Sequence, residues 1–412
     1  MRGTRPTPAR ATALFAVVAV VAVALAACSS DDSGSADPST ESVVTAEPER
    51  AAGPSDVLVF SGQGNDLMAY RIARAVPGHT DLGDDQRSFQ LTDVESGTVV
   101  TNAADDPDGR DLNGQVCFLD ERTFVAGEDT GQPDLPAGFG LFELTGDTVD
   151  DLGAEQVGKL TPPFPAADSQ PEPYGCAVLP DGRLVTTDVG NQAAGPGTGQ
   201  LIVWFDPLDA LDGAEVEFCV LDDIIATAQQ AVADGDDVLV ASARPPTVGV
   251  WRYSALPSGP SPADGCPDTP APSKQLFIEA GAEGLAVTNG VARAPGGDGW
   301  FVSSVISGVI NEYANDGSFV RPVLAPPAGE ELGVQPFSTG TPLGLAVGPD
   351  GQLYYADIGV VFDGDFGPGD GTGSIRRIDV TAGDIEPPET IDDGLAFPDA
   401  VSIYVPGVTG VD

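Results

Sequence analysis

Two stretches of the chain align with each other without a gap. One reads PYGCAVLPDGRLVTTDVG over residues 173–190 and the other PLGLAVGPDGQLYYADIG over residues 342–359. Self-similarity of this kind constrains a fold more than composition does. Each copy must be one supersecondary unit that buries its apolar face against its neighbours. Both copies carry an apolar run, a Pro-Asp-Gly turn and a second β-rich run ending in Asp. The Asp-Gly pair supplies the positive φ of a tight turn, so each copy is predicted to be a β-hairpin.

Looser copies lie at Gly114–Val125, Ala231–Val240 and Asn289–Val302. A third strand follows each hairpin, for example Leu201–Phe205, Gly249–Tyr253 and Gly308–Tyr313. Asp66–Ile72 fits the same slot near the start, which makes six copies. The first copy lacks its innermost strand, and Pro398–Tyr404 at the C-terminus can supply it. Spread over residues 55–412, each copy takes roughly 60 residues. The sequence therefore predicts an all-β, six-bladed β-propeller rather than a sandwich or solenoid. Its C-terminal strand would join the N-terminal blade and remove exposed sheet edges.

The N-terminus carries a different signal. MRGTRPTPAR is cationic, and Ala11–Ala27 is apolar apart from Thr12. This is the layout of an export signal. It ends in Leu25-Ala26-Ala27-Cys28, which resembles the lipobox of bacterial lipoproteins. Residues 1–27 are expected to be removed and Cys28 to be lipidated, tying the protein to the outer, extracytoplasmic face of the cell membrane. A transmembrane helix is the competing reading, and the apolar run is at the short limit for spanning. Residues 28–54 are rich in Ser, Asp, Glu, Pro and Ala and read as a disordered tether.

Charge excludes several partners. Lys plus Arg total 18 against 63 Asp plus Glu, a formal net charge of -45. A nucleic-acid partner would need a basic footprint, and a polybasic contact with anionic lipid is excluded on the same ground. A monomer is expected. Excluding Cys28, four cysteines remain, and an even number in an exported chain suggests two disulfides. Cys117 and Cys176 fall at nearly equivalent positions on neighbouring innermost strands, which favours pairing them. Cys219 and Cys266 would then clasp two blades on the outside. No CxxC occurs and the sole His is His79, in a polar loop, so a zinc site has no ligand set.

The text GLAVGPDGQLYYADIG at 344–359 resembles the repeat of NHL-type propellers. It is similar as well to blades of the senescence-marker-protein/gluconolactonase family and of soluble quinone-dependent sugar dehydrogenases. The gluconolactonase resemblance implies a divalent cation, Ca²⁺ or another, at the mouth ringed by the starts of the innermost strands. It implies Glu172, Asn113, Asn289 and Asp399 as ligands, with Asp399 and Glu172 as candidate catalytic acids. Oxygen donors of this kind suit a hard cation, which could polarise a lactone or ester carbonyl. In that family the Glu comes from the first blade, whereas Glu172 belongs to the third. Glu283 is a further candidate acid. The acidic loops 105–111 and 363–371 have carboxylates at Ca²⁺-like spacing but no Glu at the twelfth position of an EF-hand. A quinone-dependent dehydrogenase or a Ser-His-Asp hydrolase would need a suitably placed His, and only His79 is available. The sequence thus predicts an extracytoplasmic module binding a small molecule or protein, with a metal-dependent lactonase- or esterase-like hydrolase as the alternative.

Overall fold

The computed structural model describes residues 56–63, 66–73, 86–93, 98–99, 111–129, 137–145, 153–164, 171–190, 199–259, 272–330, 332, 338–362, 366–369, 371–381, 387–395 and 397–404. Residues 1–54, where an export signal, a lipidated Cys28 and a tether are expected, lie outside them, as do His79 and Cys266.

The chain folds as an all-β propeller. Its longest sheet contains β1 (Asp56–Gln63), β2 (Asp66–Ala73), β3 (Gln86–Asp93), β4 (Thr98–Val99), β5 (Asp111–Phe118), β6 (Thr123–Asp129), β7 (Gly138–Thr145) and β8 (Gly153–Leu160). The ninth member, the C-terminal strand Ser402–Tyr404, pairs antiparallel with β1 through Leu58↔Tyr404, Val59↔Ile403 and Phe60↔Ser402. The second sheet is β9 (Pro173–Val178), β10 (Leu184–Asp188), β11 (Gln200–Trp204) and β12 (Phe218–Asp222). The third is β13 (Ala228–Asp234), β14 (Asp237–Ser242), β15 (Gly249–Ser254) and β16 (Ser273–Glu279). The fourth is β17 (Thr288–Arg293), β18 (Gly299–Ser304), β19 (Val309–Ala314) and β20 (Phe319–Leu324). The fifth joins β21 (Pro342–Val347), β22 (Gln352–Asp357), β25 (Gly373–Asp379) and β26 (Glu389–Leu395). A small hairpin, β23 (Val360–Phe362) with β24 (Phe366–Pro368), is inserted after β22. The strand at Ser402–Tyr404 is β27.

The expected count of six separate blades is corrected to five blade sheets, four of four strands and one of nine. The cause is a parallel pairing of β3 with β8 through Leu91↔Ala154, Thr92↔Glu155 and Asp93↔Gln156. Both are outermost strands, whose free backbone groups invite a partner. Pairing them fuses two meanders into a single sheet.

The Pro-Asp-Gly turns form as expected. Gly182 has φ 89° and donates its N–H to Leu179 O, while Leu179 N–H reaches Arg183 O. Gly351, with φ 79°, repeats this arrangement with Gly348 and Gln352. The apolar positions of each hairpin pack between sheets. Val185, Val203 and Ala177 of the second sheet meet Val238, Val240 and Tyr253 of the third in one buried cluster. Blades are therefore glued face to face, and the innermost strands converge on a common channel.

Cys117 and Cys176 form a disulfide with Cα atoms 6.0 Å apart, linking β5 to β9 as the equivalence of the two strands implies. Cys219 is disulfide-bonded and fully buried in β12.

Candidate functional site

The innermost strands are placed by a repeated hydroxyl relay. Thr187 Oγ1 accepts Gly175 N–H at 2.7 Å and donates to Gln229 O of the next sheet at 2.7 Å. Ser303 Oγ does the same between Gly290 N–H and Leu343 O, again at 2.7 Å each. The approach is so close that a Cβ on Gly290 would lie 2.5 Å from Leu343 O and one on Gly175 2.4 Å from Gln229 O. One residue further on, Asp188 and Asp357 clasp the strand entries. Asp188 Oδ1 accepts Glu172 and Gly190 N–H, and Asp357 Oδ1 accepts Thr341 and Gly359 N–H.

These clasps set one mouth of the channel, which is roofed by an apolar layer. Tyr174, Val189, Val305, Leu343, Ile358 and Val360 form it, all buried. Tyr174 hydroxyl reaches across to donate to the backbone O of Asp399 at 3.1 Å.

The residues expected at this mouth fall as follows. Asp399 is buried, and its Oδ2 accepts Gly114 N–H at 3.3 Å. Glu172 is half-buried at the entry to β9, its carbonyl accepting Val189 N–H at 2.9 Å. Asn289 is 1% exposed, and its Oδ1 accepts Val305 N–H at 3.2 Å. Asn113 stands on β5 opposite Gly127, and its side chain lies outside the described residues. So do the acids Asp105, Asp106, Asp108, Asp363, Asp365 and Asp370. Glu283 is an exposed turn residue with φ 50°, whose carbonyl accepts Asn311 Nδ2.

Electrostatics shows which of these meet. Burial pushes the Tyr174 phenol well above its usual range, and the charges of Asp399 and then Glu172 push it further. Burial lowers the Arg244 guanidinium, and Glu172 pulls it back up. The structure thus brings Asp399 and Glu172 within electrostatic reach of Tyr174, and Glu172 within reach of Arg244. It leaves Asn289 bonded within its own sheet.

A cation at this mouth would find oxygen donors in Glu172 and Asp399, which fit. Asn289 Oδ1 already accepts Val305 N–H, and its Nδ2 has no partner among the described residues. Among the described residues no group of three or more His, Cys, Asp or Glu is placed to hold a metal ion.

Two glutamines that sequence reasoning passed over sit inside the channel. Gln115 Oε1 accepts Cys176 N–H at 3.1 Å and Ala231 N–H at 3.4 Å. Gln230 Oε1 accepts Val291 N–H at 3.3 Å and Leu345 N–H at 2.9 Å, while its Nε2 donates to Leu345 O at 2.6 Å. Each occupies the slot that Gly175, Gly290 and Gly344 fill in other copies. A Gln in a Gly slot was the readable signal. The innermost strands are sheet edges, and these amides satisfy backbone groups that would otherwise face one another unpaired.

No family model matches the sequence, and no curated protein matches it. Solved structures do align. A nidogen–laminin complex has a TM-score of 0.51 at 10% identity, over 85% of this chain and 100% of that one. The luciferin-regenerating enzyme has a TM-score of 0.48 at 14% identity, over 84% and 99%. The periplasmic gluconolactonase of Pseudomonas aeruginosa has 0.47 at 11% identity, over 85% and 100%. At such identities the likeness is one of fold, the β-propeller.

Proposed function

We propose that the protein is a lipid-anchored extracytoplasmic propeller that binds a small molecule or a partner protein at the face where Glu172, Tyr174, Arg244 and Asp399 meet. The nine-stranded sheet is read as two blades fused at their outer edges, giving a ring of six closed by β27. Cys28 would carry the lipid and residues 29–54 the stand-off from the membrane.

One observation carries the binding reading. The mouth's polar groups hold the fold: Asp399 accepts Gly114 N–H, Asp188 accepts Glu172 N–H and Asn289 accepts Val305 N–H. Bonds of this kind hold the mouth in one shape, which favours a preformed recognition surface. Glu172 with Arg244 gives that surface both signs of charge beside an apolar layer.

A second reading, a lactonase- or esterase-like hydrolase, is favoured by a different observation. Two acids from distant segments, Glu172 and Asp399, both act on Tyr174. A divalent cation held by them would supply Lewis-acid polarisation of a carbonyl. Elemental analysis of the purified domain, with lactone turnover in the presence and absence of calcium, separates the two. The binding module predicts less than stoichiometric divalent metal and no turnover above the uncatalysed rate. One bound ion per chain, with turnover abolished by Glu172→Gln, would replace it with the hydrolase. For the anchor, Cys28→Ala should move the protein from the membrane to the soluble fraction.

A further inference from the structure

Below the glutamine layer the channel holds a cavity of about 50 Å³. It is lined by β5, β9, β13, β17, β21 and residues 401–403. The parity of the hairpins dictates what faces it. Leu119, Leu179, Ala294 and Gly348 each donate the bond that closes their hairpin. In β13 the closing pair is Asp234↔Asp237. Bonded and non-bonded pairs alternate along an antiparallel ladder, and one residue's N–H and C=O point the same way. The residue three places before each closing position therefore turns both groups away from the ladder and into the channel. Those residues are Val116, Cys176, Ala231, Val291 and Leu345.

All five of their N–H groups are taken by side-chain oxygens. Ser402 Oγ accepts Val116 N–H at 3.2 Å, Gln115 accepts Cys176 and Ala231, and Gln230 accepts Val291 and Leu345. Of the five carbonyls, Leu345 O accepts Gln230 Nε2. Among the described residues no side-chain amide or hydroxyl donor serves the other four. The N–H side of the layer is thus satisfied, and the parity of the strands leaves carbonyl oxygens facing inward at Val116, Cys176, Ala231 and Val291. Arg293 lines the cavity too, but its guanidinium binds Asp234 Oδ1 and Gly297 O.

We propose that this ring binds an alkali cation on the channel axis, held by the carbonyls of Val116, Cys176, Ala231 and Val291. Rings of backbone carbonyls replace the hydration shell of such ions. No carboxylate lines the cavity, and the charge of Arg293 is met by Asp234, so the site carries no negative charge of its own and matches a monovalent rather than a divalent ion. The net charge of -45 raises the local concentration of cations. The site is independent of the mouth acids and stands or falls apart from the function proposed above.

Crystals of the folded domain grown with thallium(I) acetate, as an alkali-cation probe, test it by anomalous scattering. A peak on the axis within about 3 Å of the four carbonyls is expected, the spacing of large monovalent ions in carbonyl rings. Empty anomalous density there, with an ordinary water in its place, overturns the proposal. Gln115→Glu supplies a second reading. It keeps the acceptor for Cys176 and Ala231 while replacing the amide nitrogen with a charged oxygen. Its melting temperature should rise with calcium relative to choline chloride at matched ionic strength, whereas the parent should respond to sodium or potassium and gain nothing extra from calcium. Equal melting temperatures in sodium, potassium and choline for the parent would count against the ion.

Discussion

Replacing Gln230 by leucine removes one side chain that ties three innermost strands together. Three backbone groups lose their partners: Val291 N–H, Leu345 N–H and Leu345 O. A buried polar group left unpaired costs roughly 1–3 kcal/mol. The adjoining cavity of about 50 Å³ can bring water to the site, which places each loss at the lower end. The expected destabilisation is then about 3 kcal/mol, the lower end of the roughly 3–9 kcal/mol that three such losses span. Urea denaturation followed by tryptophan fluorescence reads it as a lower midpoint with unchanged slope. Glu283→Gln, on an exposed turn, serves as the control and should stay within about 0.5 kcal/mol. If Gln230→Leu also stays within that margin, the amide is not bracing the channel and the reasoning about unpaired inner edges fails.

Gly290→Ala forces a Cβ to within 2.5 Å of Leu343 O and 2.7 Å of Ser303 Oγ, so it should lower the urea midpoint more than Gln230→Leu does. Cys117→Ala with Cys176→Ala opens a crosslink spanning 59 residues. Loop entropy puts the loss at about 4 kcal/mol, read by the same denaturation. The phenols of Tyr174, Tyr253, Tyr354 and Tyr355 are all pushed above their usual value, first by burial. Their stabilisation is complete below the unfolded value near pH 10 and is lost as pH rises towards the folded values. Absorbance at alkaline pH should therefore show these four ionising together with unfolding. Separate, earlier titration of all seven tyrosines would contradict the burial.

What could be read from the sequence was local. The Pro-Asp-Gly turns specify Gly182 and Gly351 through the φ they need, and the alternating apolar residues around them specify which face is buried. Once the hairpins are aligned, Cys117 and Cys176 fall opposite each other on neighbouring strands. The β3–β8 pairing left no such trace. Leu91–Asp93 and Ala154–Gln156 are mostly polar, and a parallel contact between outermost strands has no turn chemistry to announce it. Glu172 and Asp399, which the sequence places at the starts of innermost strands, both act on Tyr174 in the structure, but the backbone groups that engage the side chains around them leave no mark in the sequence. Whether Asn289 offers its oxygen or its nitrogen depends on Val305 N–H, sixteen residues away. Gln115 and Gln230 were hidden for a related reason. The Gln-for-Gly exchange marks their slot, but which backbone groups the amides reach is set by bulges such as the register shift between Asn113 and Val116.

The central claim is that side chains from neighbouring blades satisfy the inner edges of the strands around the channel. Amide hydrogen exchange tests it residue by residue. The N–H groups of Cys176, Ala231, Val291 and Leu345 should exchange as slowly as ladder-bonded amides of β10 and β14, although all four point away from their own ladders into the channel. Exchange of these four at the rate of amides on the exposed outer edge of β20 would contradict the account.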